Sequence, residues 1–243
     1  MSKKGINQNT NFNSELLNSI GSNFNFNENP INRLKNAFND LKAENNVDEI
    51  NKENELEKLK IQISSIEDCN LKNNSKKIVF GVGNINSPIM IIGEAPSLDE
   101  DKTGLIFSGQ VGDLLKKMLI AINIKKNNIY STYAVNFKPP EDRKPTSVEI
   151  KRYSQFLQKH ISIIKPKIIV LMGSTAMESL TGLNGKISIE RGKWKEVIVK
   201  NTNYNVIITF NPSYLLRAPE NKKYSWVDLK KIKQKITDLN LDI

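Results

Sequence analysis

Ile168-Ile169-Val170-Leu171-Met172 is an unbroken run of five apolar residues set between two stretches of different texture. Upstream, Ile150, Tyr153, Phe156, Leu157, His160, Ile161 and Ile164 recur at spacings of three and four. That periodicity predicts a helix over 147–164 with one buried face. Downstream, 174–181 reads as a second helix. The same alternation extends in both directions. Short apolar runs predict strands at 77–82, 89–93, 129–135 and 206–210, and amphipathic stretches predict helices at 110–122 and 225–239. Strands alternating with helices argue an α/β fold, a mostly parallel sheet with helices on both faces. Ligands of such sheets sit outside the carboxyl ends of the strands.

The N-terminal part differs. Residues 1–50 hold 14 asparagines, including Asn23, Asn25 and Asn27 interleaved with Phe24 and Phe26. Asparagine bonds its own backbone and favours turns over regular structure. Residues 1–50 therefore read as a low-complexity, disordered tail with a short helix near 31–41, and 51–243 as the folded domain. A helix is expected over 46–66. The chain carries a net charge of +10, and the excess belongs to the folded part, because residues 1–50 hold six acidic against five basic side chains. A basic domain suggests a polyanionic partner, nucleic acid first. Against that, only five of the 36 basic residues are arginine, a bias that an AT-rich coding sequence produces without selection for binding.

Several chemistries are excluded by count. One cysteine, Cys69, leaves no intrachain disulfide and no site of several thiolates. One histidine, His160, removes multi-histidine zinc sites and lies on the apolar face of its predicted helix. No apolar run approaches the roughly 20 residues that span a bilayer, and the first thirty residues show no signal-peptide core. Gly81-Val82-Gly83 lacks the third glycine and the helix of a dinucleotide fingerprint.

The segments that follow the strands carry the chemistry. After 89–92 comes Gly93-Glu94-Ala95-Pro96-Ser97, a tight turn that can present Glu94 to a ligand. After 206–210 comes Asn211-Pro212-Ser213-Tyr214-Leu215-Leu216-Arg217, turn chemistry leading into a helix that Ser213 could cap. After the strand at 129 comes Asn136-Phe137-Lys138-Pro139-Pro140 with Arg143, a rigid basic loop.

In this order, and with Gly104-Leu105-Ile106-Phe107-Ser108-Gly109, Arg191-Gly192-Lys193-Trp194, Trp226 and Asp228, the segments over about 56–237 resemble the uracil-DNA glycosylase superfamily, family 4 above all. The resemblance implies a three-layer α/β/α sandwich with a central four-stranded parallel sheet. It implies an enzyme of base excision repair that flips a deaminated base out of DNA and hydrolyses its N-glycosidic bond. On that pattern Glu94 activates or orients the water, and Asn211 donates to the base. Gly93, Ala95, Phe107 and Tyr133 line the base pocket, with Phe107 stacking. Ser213 contacts a phosphate, and Leu215, Leu216 and Arg217 meet the minor groove. A monomeric cytoplasmic protein with DNA as partner and no membrane attachment is expected.

Three features depart from the family pattern. The four cysteines of the family's iron–sulfur cluster fall at Ile66, Cys69, Phe137 and Tyr153, so no cluster, cofactor or metal is expected. The histidine of the last motif is Asn211, which can donate but cannot carry charge. The base-reading asparagine falls at Tyr133, and a phenol cannot reproduce the donor and acceptor of an amide. Asn136, three residues on, would face the other side of a regular strand. A non-catalytic or altered-specificity DNA-binding relative therefore stays open beside the glycosylase, as does a small-molecule enzyme or interaction module on the same fold.

Overall fold

The structure, a computed structural model, describes residues 33–243, with side chains from residue 48 onward except Lys126. The expectation of a disordered tail falls, as far as residue 32, outside the described residues. The chain divides into two units, Met1–Asn46 and Val47–Ile243. Helix α1 spans Arg33–Ser64.

Six strands form one sheet: β1 (Val82–Gly83), β2 (Ile89–Gly93), β3 (Ile129–Tyr133), β4 (Ile168–Met172), β5 (Trp194–Val199) and β6 (Thr202–Thr209) in the order β1-β3-β2-β4-β6-β5. The inner four, β3-β2-β4-β6, are parallel, as the alternating pattern requires. An antiparallel strand closes each edge, which the expected four-stranded sheet lacked.

β2, β4 and Val206–Ile208 of β6 are apolar runs because both faces of the sheet are covered there. Met90, Ile92, Ile169, Leu171, Val206 and Ile208 point to one side. There they pack with α1 and with α5 (Ser147–Ile164) through Leu59, Ile63, Tyr153, Leu157 and Ile161. Ile89, Ile91, Ile168, Val170 and Ile207 point to the other. There they meet α4 (Gly109–Ile120) and α9 (Lys222–Asp238) through Leu115, Met118, Leu229 and Ile232. Two faces covered by helices give the three layers. Burying one such isoleucine contributes roughly 1.5–3 kcal/mol.

The shorter helices are α2 (Asn70–Asn74), α3 (Leu98–Thr103), α6 (Ser174–Thr181), α7 (Ile187–Glu190) and α8 (Pro212–Arg217). Two expectations change. The strand expected over 77–82 is reduced to β1, because the Asp101 carboxylate accepts from the N–H groups of Lys76 and Lys77 and only Val79 pairs onward, with Asn136. Strand β5 was not expected. It turns into β6 through Lys200 and Asn201, both at positive φ (45° and 65°), which is the geometry of a two-residue hairpin.

Candidate active site at the carboxyl ends of the parallel strands

Glu94 stands directly after β2, and the neighbouring strand ends hold it. Its Oε1 accepts from Ser174 Oγ at 3.2 Å and from the Thr175 N–H at 3.1 Å, both in the first turn of α6 after β4. Its Oε2 accepts from Asn211 Nδ2 at 3.2 Å, after β6. Gly173 makes this approach possible. It has φ +106°, and a Cβ there would overlap the Glu94 side chain, coming within 2.7 Å of Oε1. Three consecutive strand ends, β2, β4 and β6, therefore converge on one carboxylate.

Asn211 serves two partners. Its Oδ1 accepts from the Ser213 N–H at 3.0 Å and so caps α8, while Nδ2 faces Glu94 and, at 3.4 Å, the Met172 carbonyl. The residue expected to donate to a base is buried and orients Glu94 instead. Lys144 donates to Ser174 Oγ at 3.2 Å, which puts an ammonium one hydroxyl away from the same carboxylate. The basic loop delivers Lys144 there. Arg143 clamps Glu149 through both oxygens at 2.8 and 2.7 Å, and Glu149 closes the capping box of α5 with Thr146. The Arg143 hydrogen bond holds the Glu149 carboxyl below its ordinary value.

A cleft of about 550 Å³ opens beside Glu94, lined also by Lys144, Lys186, Phe210, Tyr214 and Arg217. Of the residues expected at DNA, Ser213 is half-buried in the first turn of α8, and Leu216 and Arg217 are exposed. Leu215 is corrected. It is 1% exposed, a member of the core with Phe210 and Leu229, so its side chain is spent on packing and cannot enter a groove.

The second half of the site is built on Glu100. The buried Glu100 carboxylate accepts from Ser97 N–H (2.8 Å), Ser97 Oγ (3.0 Å), Ser108 N–H (3.1 Å) and Tyr133 Oη (2.7 Å). It thus ties together the turn after Glu94, the turn holding Phe107, and the end of β3. Phe107 itself sits at φ +48°, its N–H donating to Tyr133 Oη at 3.2 Å and its ring tilted against that of Tyr133 at 5.1 Å. A Cβ at Gly93 would meet the Tyr133 ring at 2.5 Å and Phe107 Cζ at 2.9 Å, so only glycine admits this stack of rings. Ala95 packs, half-buried, against the core on the same turn. Burial, reinforced by Glu100, pushes the Tyr133 hydroxyl far up and keeps it protonated. Asn136 does not substitute for an amide at position 133, because its own amide donates to the Val79 carbonyl at 3.0 Å.

The sequence singled out Glu94, Phe107 and Asn211 as candidates; the structure places Glu100, Lys144, Gly173 and Ser174 around them, which the sequence did not single out. The strand–Gly–Ser–Thr order after 172 was a signal of the same kind as the two that were used. Glu100 was hidden inside an acidic run, Asp99-Glu100-Asp101, that reads as solvated, although Glu100 and Asp101 are both buried.

Arg191-Gly192-Lys193-Trp194 is scaffold. Arg191 Nε donates to Asp228 Oδ2 at 2.9 Å, Thr209 Oγ1 donates to the same oxygen at 2.8 Å, and the guanidinium lies over the Phe210 and Tyr224 rings. Burial raises the Asp228 carboxyl against the pull of these donors.

Ile66, Cys69, Phe137 and Tyr153, the positions at which the resemblance implies cluster ligands, do come together. Cys69 Sγ lies 3.3 Å from Tyr153 Oη, the Phe137 and Tyr153 rings meet edge to face at 6.4 Å, and Ile66 packs against the same core. A donor set with one sulfur does not fit a cluster held by four thiolates. Among the described residues no group of three or more His, Cys, Asp or Glu could hold a metal ion. No described helix is long and apolar enough to cross a membrane.

Residues 80–232 match the family model of the uracil DNA glycosylase superfamily. The chain is 33% identical to the type-4 uracil-DNA glycosylase of Archaeoglobus fulgidus, over 70% of this chain and 88% of that protein. It is 36% identical to the type-4 enzyme of Thermotoga maritima, over 63% of this chain and 79% of that one. With the type-4 enzyme of Sulfurisphaera tokodaii it shares 34% identity over 74% of this chain and 84% of that protein. A parallel sheet whose strand ends converge on a carboxylate, together with these matches over most of the chain, means that the protein belongs to the uracil-DNA glycosylase superfamily.

Proposed function

We propose that the protein is a DNA glycosylase that excises uracil or a related deaminated base and leaves an abasic site. The observation that carries this reading is the Glu94 carboxylate, held by donors from two other strand ends and facing a cleft beside basic side chains, in a chain of this family. In the proposed reaction the target nucleotide leaves the stack and enters the cleft. The C1′–N bond breaks with its electron pair going to the base. Positive charge develops on the sugar, and a nearby carboxylate stabilises it. Water adds at C1′ and loses its proton towards Glu94. Glu94 touches the reacting atoms, whereas Asn211 and Ser174 position it. Phe107 supplies a stacking face, Leu216 and Arg217 the contact to DNA, and Ser213 with Lys144 and Lys186 the contact to phosphates.

The four cluster positions are packed, so we propose that the chain folds and acts as a monomer without iron. The direct test is an oligonucleotide with one uracil, single-stranded and opposite guanine, incubated with the protein and then treated with alkali. Cleavage at the uracil supports the reading. DNA binding without cleavage would favour the non-catalytic relative.

A further inference from the structure

The end of the sheet opposite Glu94 carries a second concave site. A pocket of about 420 Å³ lies between the chain leaving α5, the β5–β6 hairpin and Leu239, just after α9. Lys167 lines it and directly precedes β4, whereas Gly173 and Ser174, which hold Glu94, directly follow β4. The five residues of β4 advance about 3.3 Å each, so roughly 16 Å of strand separates the two sites.

Three cations converge on this pocket. Lys165, Lys167 and Lys200 are exposed and line it, and among the described residues no carboxylate does. Among the described residues none of the three is in an ion pair, whereas Lys195, on the same hairpin, pairs with Glu190 at 2.8 Å. A coding bias supplies lysines, but it does not draw them from two separate segments around one concavity. Two of the three also occupy costly backbone. Lys165 ends α5 at φ +55°, and Lys200 stands in the hairpin turn at φ +45°. Glycine or asparagine is the usual residue at such angles.

The rest of the lining narrows the ligand. Ser162, Thr202, Asn203 and Asn205 supply neutral donors and acceptors. Tyr204 is 4% exposed, so the one aromatic residue of the lining offers no face to a base. Cations set among neutral hydrogen-bonding groups recognise phosphate, and without a stacking ring they do not select a nucleoside. Exposed ammonium groups hold a lone phosphate weakly in salt, whereas the repeated phosphates of one polymer can meet all three. We infer that this pocket binds the phosphodiester backbone of a second nucleic-acid segment. The inference rests on the glycosylase reading only for what fills the cleft beside Glu94. One chain then holds two segments at once and can pass from one to the next without full release.

Titrating the full chain with a labelled single strand of roughly eight nucleotides, lacking uracil, counts the sites by fluorescence anisotropy at low salt. Two strands per wild-type chain are expected, and one per chain of the triple variant Lys165→Gln, Lys167→Gln, Lys200→Gln. The affinity of the second wild-type site should fall with salt at a logarithmic slope of about −2, from about −0.7 for each of three phosphates. A second triple variant, Lys58→Gln, Lys116→Gln, Lys230→Gln, removes the same charge from exposed positions outside the pocket and should keep both sites. Equal thermal midpoints show that both variants are folded. One strand per wild-type chain, or the same loss in both triple variants, would overturn the inference. Two sites on a wild-type chain that releases no uracil would support it while counting against the glycosylase reading.

Discussion

The Tyr133 hydroxyl donates to Glu100 Oε1 across 2.7 Å, and through that bond a buried carboxylate fixes the end of β3 to the turn that carries Phe107. Tyr133→Phe keeps the ring and removes one of the donors on Glu100. A buried acceptor left short of a donor costs about 1–3 kcal/mol, so the urea midpoint should fall accordingly. Glu100→Ala removes the acceptor for two turns at once and should cost more. An unchanged midpoint in Tyr133→Phe would contradict the role given to this bond.

Gly173 is the position where backbone geometry and chemistry meet. Gly173→Ala places a methyl group against Glu94 at φ +106°. Displacing the carboxylate by even an ångström should lower base release by about 10²-fold, because misplacement of a reacting group is that costly. Thermal unfolding measured in parallel should show a smaller relative loss. Wild-type activity in this variant would mean that Glu94 does not work from its observed place.

Asn211 joins a helix cap to Glu94, and two substitutions separate these jobs. Asn211→Ala loses both, with a stability cost of about 0.5–2 kcal/mol for the cap alone. Asn211→Asp keeps an N-cap acceptor for the Ser213 N–H but sets a second carboxylate against Glu94 Oε2. Stability near wild type with base release sharply reduced is the expected result for Asn211→Asp. Equal activity in Asn211→Asp and the wild type would argue against a positioning role.

The fold was legible where strands are covered on both faces. β2, β4 and Val206–Ile208 of β6 read as apolar runs because no residue in them faces water. β5 was not legible. As an edge strand it alternates half-exposed and exposed residues, including Lys195 and Glu196, and its turn uses Lys200 and Asn201 where a glycine would have marked it. The strand expected at 77–82 failed for a tertiary reason, since a side chain 24 residues away takes its backbone donors. At the site, Glu94 was visible because a glycine and a proline bracket it after a strand. Glu100 differs from the exposed Asp99 in one local respect, Ser97 three residues before it, with which it forms the capping box of α3, a spacing that went unused. Leu215 was misassigned because the six residues of α8 are too few to show a buried face by periodicity.

His160 gives a pH dependence with a definite sign. Burial lowers its pKa from 6.5 to about 3, and its Nε2 lies 2.8 Å from Tyr130 Oη with the ring stacked on Phe80. The unfolded chain binds a proton below about pH 6.5 while the folded chain refuses it until about pH 3. The stability from this group is therefore fully present above pH 6.5 and is lost as pH falls from there towards 3, at up to about 1.4 kcal/mol per pH unit. Urea midpoints between pH 7 and 5.5, above the range of most carboxylates, isolate the effect. His160→Gln should start lower and flatten the slope.

Cys69 bears on the expectation that the chain holds no cluster. Purified protein is expected to hold iron far below one atom per chain, and Cys69→Ala is expected to retain base release, because Cys69 does no more here than meet Tyr153 in the core. Stoichiometric iron with a visible charge-transfer band would contradict the packed arrangement at Ile66, Phe137 and Tyr153.

The central claim is that the carboxylate on which three strand ends converge does the chemistry. Glu94→Gln changes one oxygen to an amide and preserves the volume beside Gly173. Its single-turnover release of uracil from an oligonucleotide, set against wild type at equal DNA occupancy, tests that claim most directly. A fall of about 10²-fold or more with DNA affinity unchanged is expected for a group that acts mainly on the transition state. Equal release by the two proteins, or none by the wild type, would contradict it.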